Sequence, residues 1–307
     1  MQRYLIPLLG LILGLSGLSN VSAADPNFTR QEDVIYGRKH GTALTLDVFT
    51  PKGPAHGAAV IMVVSGGWFS SHESINVPFF QVLLDRGYTV FAVVHGSQPK
   101  FTIPEAISDL HRAVRFVRHR AADFKIDPQR IGITGASAGG HLSLMQGMAG
   151  TGGQPDAQDP VERQSSRVHA VACFFPPTDF LNYGKEGENA MGRGILANYR
   201  AAFDIQEVDA KKKEFVPITD ETRITEIAKQ ISPVYHVTAD DPPTLIIHGD
   251  ADLLVPIQQA QLIMAKLDEV KVPHELVTRP GVAHGWKDWV NETNLFADWF
   301  DKHLKQP

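Results

Sequence analysis

The sequence has little cysteine, no excess of basic residues and no apolar run long enough to cross a membrane. Cys173 is the single cysteine, so an intramolecular disulfide is excluded and a folded chain must rest on its core. Its apolar neighbours predict a buried, inert thiol. The net charge of −5 at pH 7 does not favour nucleic acid as a partner. There is no His-Glu-x-x-His or paired-cysteine motif, and we expect neither a metal nor another cofactor.

The first residues have the composition of a targeting segment. Arg3 precedes an apolar stretch over residues 5–18, and Val21-Ser22-Ala23-Ala24 supplies the small residues of a cleavage site. The stretch is shorter than the roughly 20 residues of a spanning helix. We therefore predict a signal peptide over 1–24, a single catalytic domain over 25–307 and a secreted or periplasmic protein without stable membrane insertion. An uncleaved anchor is the alternative.

Strand-like and helix-like segments alternate along the mature chain. The predicted strands are short and mostly apolar, and the predicted helices carry apolar residues on one face. In the helix that Pro104 opens, Arg112, Arg115 and Arg118 are expected to point mostly outward. Strands separated by helices indicate an α/β fold with a mostly parallel central sheet and helices on both faces. The predicted strands are 43–49, 58–64, 88–94, 130–134, 168–174, 244–247 and 275–278.

The alternation fails between residues 178 and 232. This stretch is rich in charge, glycine and asparagine, and it is too long for a plain loop in a compact domain. We predict a cap insertion above the carboxyl edge of the sheet, where open α/β folds bind ligands. Its polar composition favours a mobile cover over a core element.

The stretch Gly135-Ala136-Ser137-Ala138-Gly139 reads G-x-S-x-G between a predicted strand and a predicted helix. This context holds a serine on a sharp turn with its Oγ exposed, and flanking glycines avoid Cβ clashes there. The helix N-terminus behind the serine presents N–H groups that suit a developing oxyanion. Ser137 is thus the predicted nucleophile and the Ala138 N–H one oxyanion donor. A structural Gly/Ala/Ser loop is the alternative.

A serine nucleophile needs a base to take its proton and an acid to orient that base. In enzymes that carry the nucleophile on this strand–turn–helix element, the chain order is Ser, then Asp or Glu, then His. His284 lies on a loop after the last predicted strand, with Gly285 beside it, and is the predicted base. Asp250 and Asp252 both follow the strand before it. We favour Asp252 as the acid, with Asp250 capping the turn.

The second oxyanion donor is expected in the loop after the strand over 58–64. Gly66 and Gly67 in this loop allow a close approach of the backbone to a substrate carbonyl. Aromatic faces near such a site suit acyl groups and sugar rings alike, although packing is the alternative for each of them. The predicted pocket residues are Trp68, Phe69, Phe101, His141 and Trp286.

Several segments together resemble the α/β-hydrolase esterases. The resemblance is strongest to the group typified by bifunctional acetylxylan and feruloyl esterases, near the hormone-sensitive-lipase-like carboxylesterases. It implies an α/β-hydrolase fold and a serine esterase without a cofactor, acting on acyl groups of a small-molecule or polysaccharide ester. The segments that carry it are Gly66-Gly67-Trp68, the runs 127–133 and 135–141, Ile231-Ser232-Pro233, the run 248–252, and His284-Gly285-Trp286.

The sequence departs from the family pattern in two places. The usual oxyanion motif H-G-G-G-W is replaced by Val64-Ser65-Gly66-Gly67-Trp68, so the hydrogen bonds that brace this loop must differ. The usual Y-R-L-A-P-E is replaced by Val94-His95-Gly96-Ser97-Gln98-Pro99, which predicts an altered pocket wall.

Other functions share parts of this pattern. A generic short-chain carboxylesterase is the close alternative, and an amidase or formamidase can use the same fold. A peptidase of the prolyl-oligopeptidase type shares the late motifs, although it would normally carry a large N-terminal propeller. A catalytically silent binding protein on this fold is the alternative from another class, although such proteins usually lose a triad member and this chain keeps all three. The sequence does not predict the oligomeric state.

Overall fold

The apolar runs of the sequence form the middle of an eight-stranded sheet in the computed structural model, which describes residues 26–211 and 213–305. The predicted signal peptide over 1–24 lies outside the described residues. The strands are β1 (Phe28–Lys39), β2 (Thr42–Pro51), β3 (Ala59–Val64), β4 (Thr89–Val94), β5 (Ile131–Ala136), β6 (Ala170–Phe174), β7 (Gln206–Asp209), β8 (Glu214–Pro217), β9 (Thr244–Gly249) and β10 (His274–Arg279).

The large sheet has the order β1-β2-β4-β3-β5-β6-β9-β10, and β7 and β8 form a separate antiparallel pair. From β4 to β10 all neighbours run parallel, whereas β2 pairs antiparallel with both β1 and β4. The expected α/β class with a mostly parallel sheet is therefore confirmed. Because parallel strands point the same way, the loops after β3, β5, β6, β9 and β10 meet at one edge.

Helices cover both faces of the sheet. They are α1 (Val77–Asp85), α2 (Ile103–His119), α3 (Ala121–Phe124), α4 (Ala138–Met148), α5 (Glu221–Gln230), α6 (Gln258–Glu269) and α7 (Thr293–Leu304). Side chains alternate along β3: Ile61 and Val63 pack into the cluster with α2 and α6, while Met62 packs into the cluster with α1 and α7. A strand buried on both sides reads as a continuous apolar run, as this one does.

The strand β1 was not predicted. It lies at the edge of the sheet, and most of its first residues are exposed. Arg30, Gln31, Glu32 and Asp33 give it a polar sequence, which is typical of an edge strand that avoids pairing with other chains. Such a strand lacks the apolar pattern by which the others were found.

Two of the three arginines on α2 do not point outward. Arg115 and Arg118 are each only 8% exposed. Arg115 donates to the Gln164 carbonyl at 3.1 Å, and Arg118 donates to the Pro128 carbonyl at 3.1 Å and to the Arg167 carbonyl at 2.6 Å. Burial lowers the pKa of Arg118 to about 10. These side chains tie the segment before β6 to α2.

The segment 178–232, predicted as a cap, falls between β6 and β9. It holds a 3₁₀ helix over Gly194–Phe203, the β7–β8 pair and α5. Its side chains are not only a cover, because Phe180, Leu196 and Phe203 are buried in the same apolar cluster as α2. The prediction of a cover distinct from the core is therefore corrected for these residues. Periodicity did not reveal them because irregular and 3₁₀ backbone spaces its buried residues unevenly.

Candidate active site

Ser137 occupies a sharp turn between β5 and α4. Its φ of 54° and ψ of −119° lie outside the regions that non-glycine residues favour. A Cβ on Gly135 would lie 2.5 Å from the backbone of Gly139, and one on Gly139 would lie 2.9 Å from the Val63 carbonyl oxygen. Both glycines are therefore required by close packing. The Ser137 N–H donates to the Phe174 carbonyl at 3.0 Å, which fixes the turn to the end of β6.

The predicted base reaches this serine, and the predicted acid reaches the base. His284 Nε2 lies 3.0 Å from Ser137 Oγ, and His284 Nδ1 lies 2.7 Å from Asp252 Oδ2. In this arrangement Nδ1 carries the proton that it donates to the carboxylate, so Nε2 is free to accept the serine hydroxyl proton. The ring of Phe175 packs against the His284 ring with centroids 4.4 Å apart. It thereby restricts the imidazole to this orientation.

Asp252 is held as a carboxylate by several donors. Its Oδ1 accepts from the N–H groups of Leu254 and Val255, both at 2.9 Å. Its Oδ2 also lies 3.3 Å from Nε2 of His248, in addition to the His284 bond. Burial raises the pKa of Asp252, but the hydrogen bonds from His248, His284 and Val255 outweigh it and hold the pKa well below its usual range. The carboxyl group therefore stays charged and able to accept.

Asp250 is exposed and does not contact the imidazole. Its Oδ1 accepts from the Gly281 N–H at 2.6 Å, and its own N–H donates to the Arg279 carbonyl at 3.1 Å. These bonds join the loop after β9 to the loop that carries His284. The two aspartates thus occupy the positions predicted for them.

A cleft of about 390 Å³ opens beside Ser137 and His284. Of the predicted pocket residues, Phe69 borders it and is 52% exposed. Met62, Val64 and Phe175 also line the cleft and were not predicted as pocket residues. Met62 and Val64 lie on the same face of β3, and Phe175 directly follows β6, so their positions in the strands could have indicated this. The remaining lining residues include Ser65, Gly66, Ser74, Asn76, Phe79, Ala136, Gly285 and Trp289.

Four predicted pocket residues do not line this cleft and are corrected. Trp68 and Phe101 are only 3% and 5% exposed, and Phe101 borders a different cavity next to Gly96. Trp286 packs on the ring of Phe174. Each had been assigned from its closeness in sequence to a motif. Trp68 turns into the core because burial of a large ring is favourable, whereas Trp286 is half-buried and packs against the edge of the core.

His141 is the fourth of these residues. It is fully buried between the loop over residues 65–69, here called the oxyanion loop, and the insertion over residues 178–232. Trp68 Nε1 donates to its Nδ1 at 3.2 Å, so Nε2 carries the proton and donates to the Ile231 carbonyl at 2.7 Å. Burial lowers the pKa of His141 to about 4, against the opposing effect of the Ile231 bond. This neutral ring is a structural link between the two segments.

The oxyanion loop forms a tight turn over residues 66–69. The Gly66 N–H donates to the Phe69 carbonyl at 3.0 Å, so the prediction of Gly66 as an oxyanion donor needs correction: this N–H is already engaged. Gly67 and Trp68 have φ of 54° and 61°, as both central residues of a type I′ turn do. A Cβ on Gly67 would overlap the ring of Tyr199, and Gly67 does not line the cleft.

The two departures from the esterase pattern meet at this loop. Gln98 Nε2 donates to the Gly67 carbonyl, and Ser97 Oγ accepts from the Ser70 N–H at 3.0 Å. The Ser70 hydroxyl in turn donates to the Val64 carbonyl at 2.6 Å. The bracing of this loop is thus supplied by the segment that replaces the second motif.

Among the described residues there is neither a candidate metal site nor a membrane-spanning helix. Within residues 26–211 and 213–305, no cluster of three or more His, Cys, Asp or Glu side chains has the geometry to hold a metal ion. Over the same ranges, none of the helices combines the length and the apolar composition that crossing a membrane requires.

Comparison with known proteins identifies the family. The sequence matches the BD-FAE family model over residues 46–267, which is most of the chain. The chain belongs to the BD-FAE family. The expected esterase family is thereby confirmed, and similarity to solved esterases confirms the α/β-hydrolase fold of this BD-FAE protein.

Relatives of this BD-FAE protein are named as esterases. It is 28% identical over 265 residues to the probable carboxylic ester hydrolase LipM of Mycobacterium tuberculosis, an alignment that covers 85% of the chain and 57% of LipM. The chain thus spans a little over half the length of this relative. A truncated carbohydrate esterase from gut microbiota superposes with a TM-score of 0.70 at 27% identity, covering 91% of this chain and 98% of that one.

A third comparison bears on the fold alone. The acetyl ester-xyloside bifunctional hydrolase from Caldicellulosiruptor lactoaceticus superposes with a TM-score of 0.71 at 24% identity, covering 88% of this chain and 95% of that one. The serine esterase class predicted for this BD-FAE protein agrees with the names of its relatives.

Buried histidines predict how stability depends on pH. Burial lowers the pKa values of His95, His111 and His141 to about 4 each. Between the unfolded value of about 6.5 and about 4, the unfolded chain binds more protons than the folded one. The free energy of unfolding should therefore fall as the pH is lowered through this window, by at most about 1.4 kcal/mol per pH unit for each histidine.

Guanidinium chloride midpoints at pH 7.5 and pH 4.5 measure this effect. His141→Gln keeps a donor and an acceptor but removes one titrating ring, so its midpoint should depend less on pH than that of the wild type. Equal wild-type midpoints at the two pH values would contradict the expectation.

Proposed function

We propose that this protein is a serine carboxylic-ester hydrolase in which Ser137, His284 and Asp252 act as the catalytic triad. The observation that carries the proposal is the continuous hydrogen-bonded line from Asp252 Oδ2 through His284 to Ser137 Oγ, at 2.7 Å and 3.0 Å. It ends at a cleft large enough for a small ester. Family membership supports the same class of reaction.

The reaction proceeds in two halves. Ser137 Oγ bonds to the ester carbonyl carbon while its proton moves to His284 Nε2, and the carbonyl π electrons move to the oxygen. The oxyanion collapses, and the alcohol leaves with the proton from His284. A water then gives its proton to His284 and attacks the acyl-enzyme. The second collapse returns that proton to Ser137 Oγ and releases the acid. Asp252 stabilises the imidazolium in both halves.

The oxyanion is stabilised at the N-terminus of α4. The Ala138 N–H is at the first helical position, where N–H groups lack an intrahelical partner. We propose it as the first donor. On the loop side, the Gly66 N–H is engaged with Phe69, and Gly67, the other glycine predicted to donate there, does not line the cleft.

The cleft favours a substrate with a small or flat acyl group. Its walls are mainly apolar and aromatic, with Phe79, Phe175 and Trp289 on them, while Ser74 and Asn76 add polar groups. We propose short acyl or feruloyl-type esters of carbohydrates. The names of the gut carbohydrate esterase and of the acetyl ester-xyloside hydrolase support this class. A generic short-chain carboxylesterase is the second candidate, which the name of LipM favours.

We further propose that the enzyme acts outside the cytoplasm. The apolar segment over residues 5–18, followed by small residues at 21–24, supports this location. Polymeric carbohydrate esters are met there, so the proposed location and substrate class are consistent.

The nucleophile is tested with Ser137→Ala. This change removes one hydroxyl from a half-buried side chain, so the fold should persist, while turnover of p-nitrophenyl acetate should fall by roughly 10⁶-fold. The wild type should be labelled at Ser137 by a small organophosphonate, as peptide mass spectrometry will show. A folded variant with more than a few per cent of wild-type activity would rule out Ser137 as the nucleophile.

The acid is tested with Asp252→Asn, for which Asp250→Asn is the matched control. Asp252→Asn leaves the imidazole without its orienting acceptor and counter-charge, so kcat should fall by the order of 10⁴-fold. Asp250→Asn alters only the hydrogen bond to Gly281, so kcat should stay within about threefold of the wild type. Steady-state kinetics on p-nitrophenyl acetate measure both, and the opposite ranking would give Asp250 the role of the acid.

A hydrolysis panel tests the substrate class. It contains acetylated xylan, methyl ferulate, p-nitrophenyl acetate, butyrate and octanoate, an aryl formamide and a peptide anilide. We expect the esters of acetate and ferulate to give the highest kcat/KM, with the octanoate at least tenfold below the acetate because the cleft is small. Preference for the anilide or the formamide would replace the esterase by an amidase. No turnover of any compound would favour a silent binding protein.

A further inference from the structure

Ser65 is a polar residue that neither the fold nor the triad uses. Its hydroxyl oxygen is withdrawn from solvent and has no hydrogen-bond partner among the described residues. Burying a hydroxyl without a partner costs free energy. The position is therefore unfavourable unless a further group forms a hydrogen bond with this hydroxyl.

Ser65 lies where the oxyanion loop contacts the sharp turn between β5 and α4 that carries Ser137. It directly follows β3, and a Cβ on Gly139 would lie 3.2 Å from the Ser65 carbonyl oxygen and 3.7 Å from the Ser65 Cβ. Gly139 belongs to the first turn of α4, two residues after Ser137. Ser65 and Ser137 also line the same cleft. Ser65 is thus beside the N-terminus of α4, where the Ala138 N–H is the oxyanion donor proposed above.

The backbone of the loop leaves room for a further donor. The Gly66 N–H faces the Phe69 carbonyl, and Gly67 lies under the ring of Tyr199 rather than in the cleft wall. An oxyanion gains most from several donors that are fixed before the reaction. On this side of the cleft, the Ser65 hydroxyl is a donor with no competing partner.

We propose that the Ser65 hydroxyl is a catalytic residue that donates a hydrogen bond to the oxyanion; the proposal rests on the triad mechanism above. The hydroxyl keeps its proton throughout, so only a hydrogen bond forms and breaks. Rotation about χ1 turns the hydroxyl between its staggered positions, and because no group of the described residues holds it, this rotation breaks no hydrogen bond found there. The usual motif H-G-G-G-W has a glycine at this position, and glycine carries no hydroxyl.

The test is Ser65→Ala, with Thr134→Val as the matched control. The Thr134 hydroxyl is also buried, with no partner in the part of the chain that the structure describes, but Thr134 lies within β5 and does not line the cleft. Both variants lose an unpartnered hydroxyl, so neither should lower the denaturant midpoint. Only Ser65→Ala should lower kcat on p-nitrophenyl acetate, by roughly 10- to 100-fold, with KM within twofold.

An oxyanion mimic separates catalysis from structure. A trifluoromethyl ketone adds to Ser137 Oγ and leaves an oxyanion, so its affinity should fall for Ser65→Ala by a factor similar to that of kcat and stay unchanged for Thr134→Val. The proposal is overturned if Ser65→Ala keeps kcat within twofold, if it unfolds or lowers the midpoint, or if inhibitor affinity is unchanged. The triad itself is judged by wild-type turnover and Ser137 labelling, which these outcomes leave intact.

Discussion

The left-handed backbone at Ser137 is the constraint on which the site depends. A non-glycine residue in such a conformation costs of the order of 1–3 kcal/mol, and it persists only where the surroundings require it. Here the Phe174 carbonyl holds the Ser137 N–H, and the Ser137 carbonyl accepts the His141 N–H at 2.8 Å. Gly135 and Gly139 pack so closely that a side chain at Gly135 would overlap the backbone of Gly139, which keeps the turn tight. Since β5, β6, β9 and β10 are parallel neighbours that end at one edge of the sheet, the serine, the imidazole and the α4 N-terminus converge there.

Much of this arrangement could be predicted from the sequence because it is local. The glycines around Ser137, the order of Asp252 and His284, and the apolar runs of the parallel strands each leave a pattern in neighbouring residues. The choice between Asp250 and Asp252 also followed from position, and the structure brings Asp252 to the imidazole. The catalytic roles themselves stay predictions until the variants are measured.

The rest depends on contacts between distant parts of the chain. Trp68 lies beside the glycines of the oxyanion loop in sequence, yet its ring packs on Phe203 with centroids 5.2 Å apart and leaves the cleft to residues from other elements. The engagement of the Gly66 N–H depends on the turn formed with Phe69, and no composition rule specifies it. Likewise, the arginines of α2 are buried because carbonyls from a segment about 50 residues away surround them, and helical periodicity cannot show that.

The buried link through His141 has a consequence for how this fold can be recombined. One ring nitrogen holds Trp68 of the oxyanion loop and the other holds Ile231 at the end of the insertion, so the insertion sets the height of the loop against α4. The ring of Tyr199 also occupies the space above Gly67. If the insertion were exchanged between relatives without its matching loop, we therefore expect the loop to be misplaced relative to α4 and the reacting carbonyl to be bound in the wrong position. Residues 65–69 and 178–232 therefore act as one structural unit in this fold, although more than a hundred residues separate them.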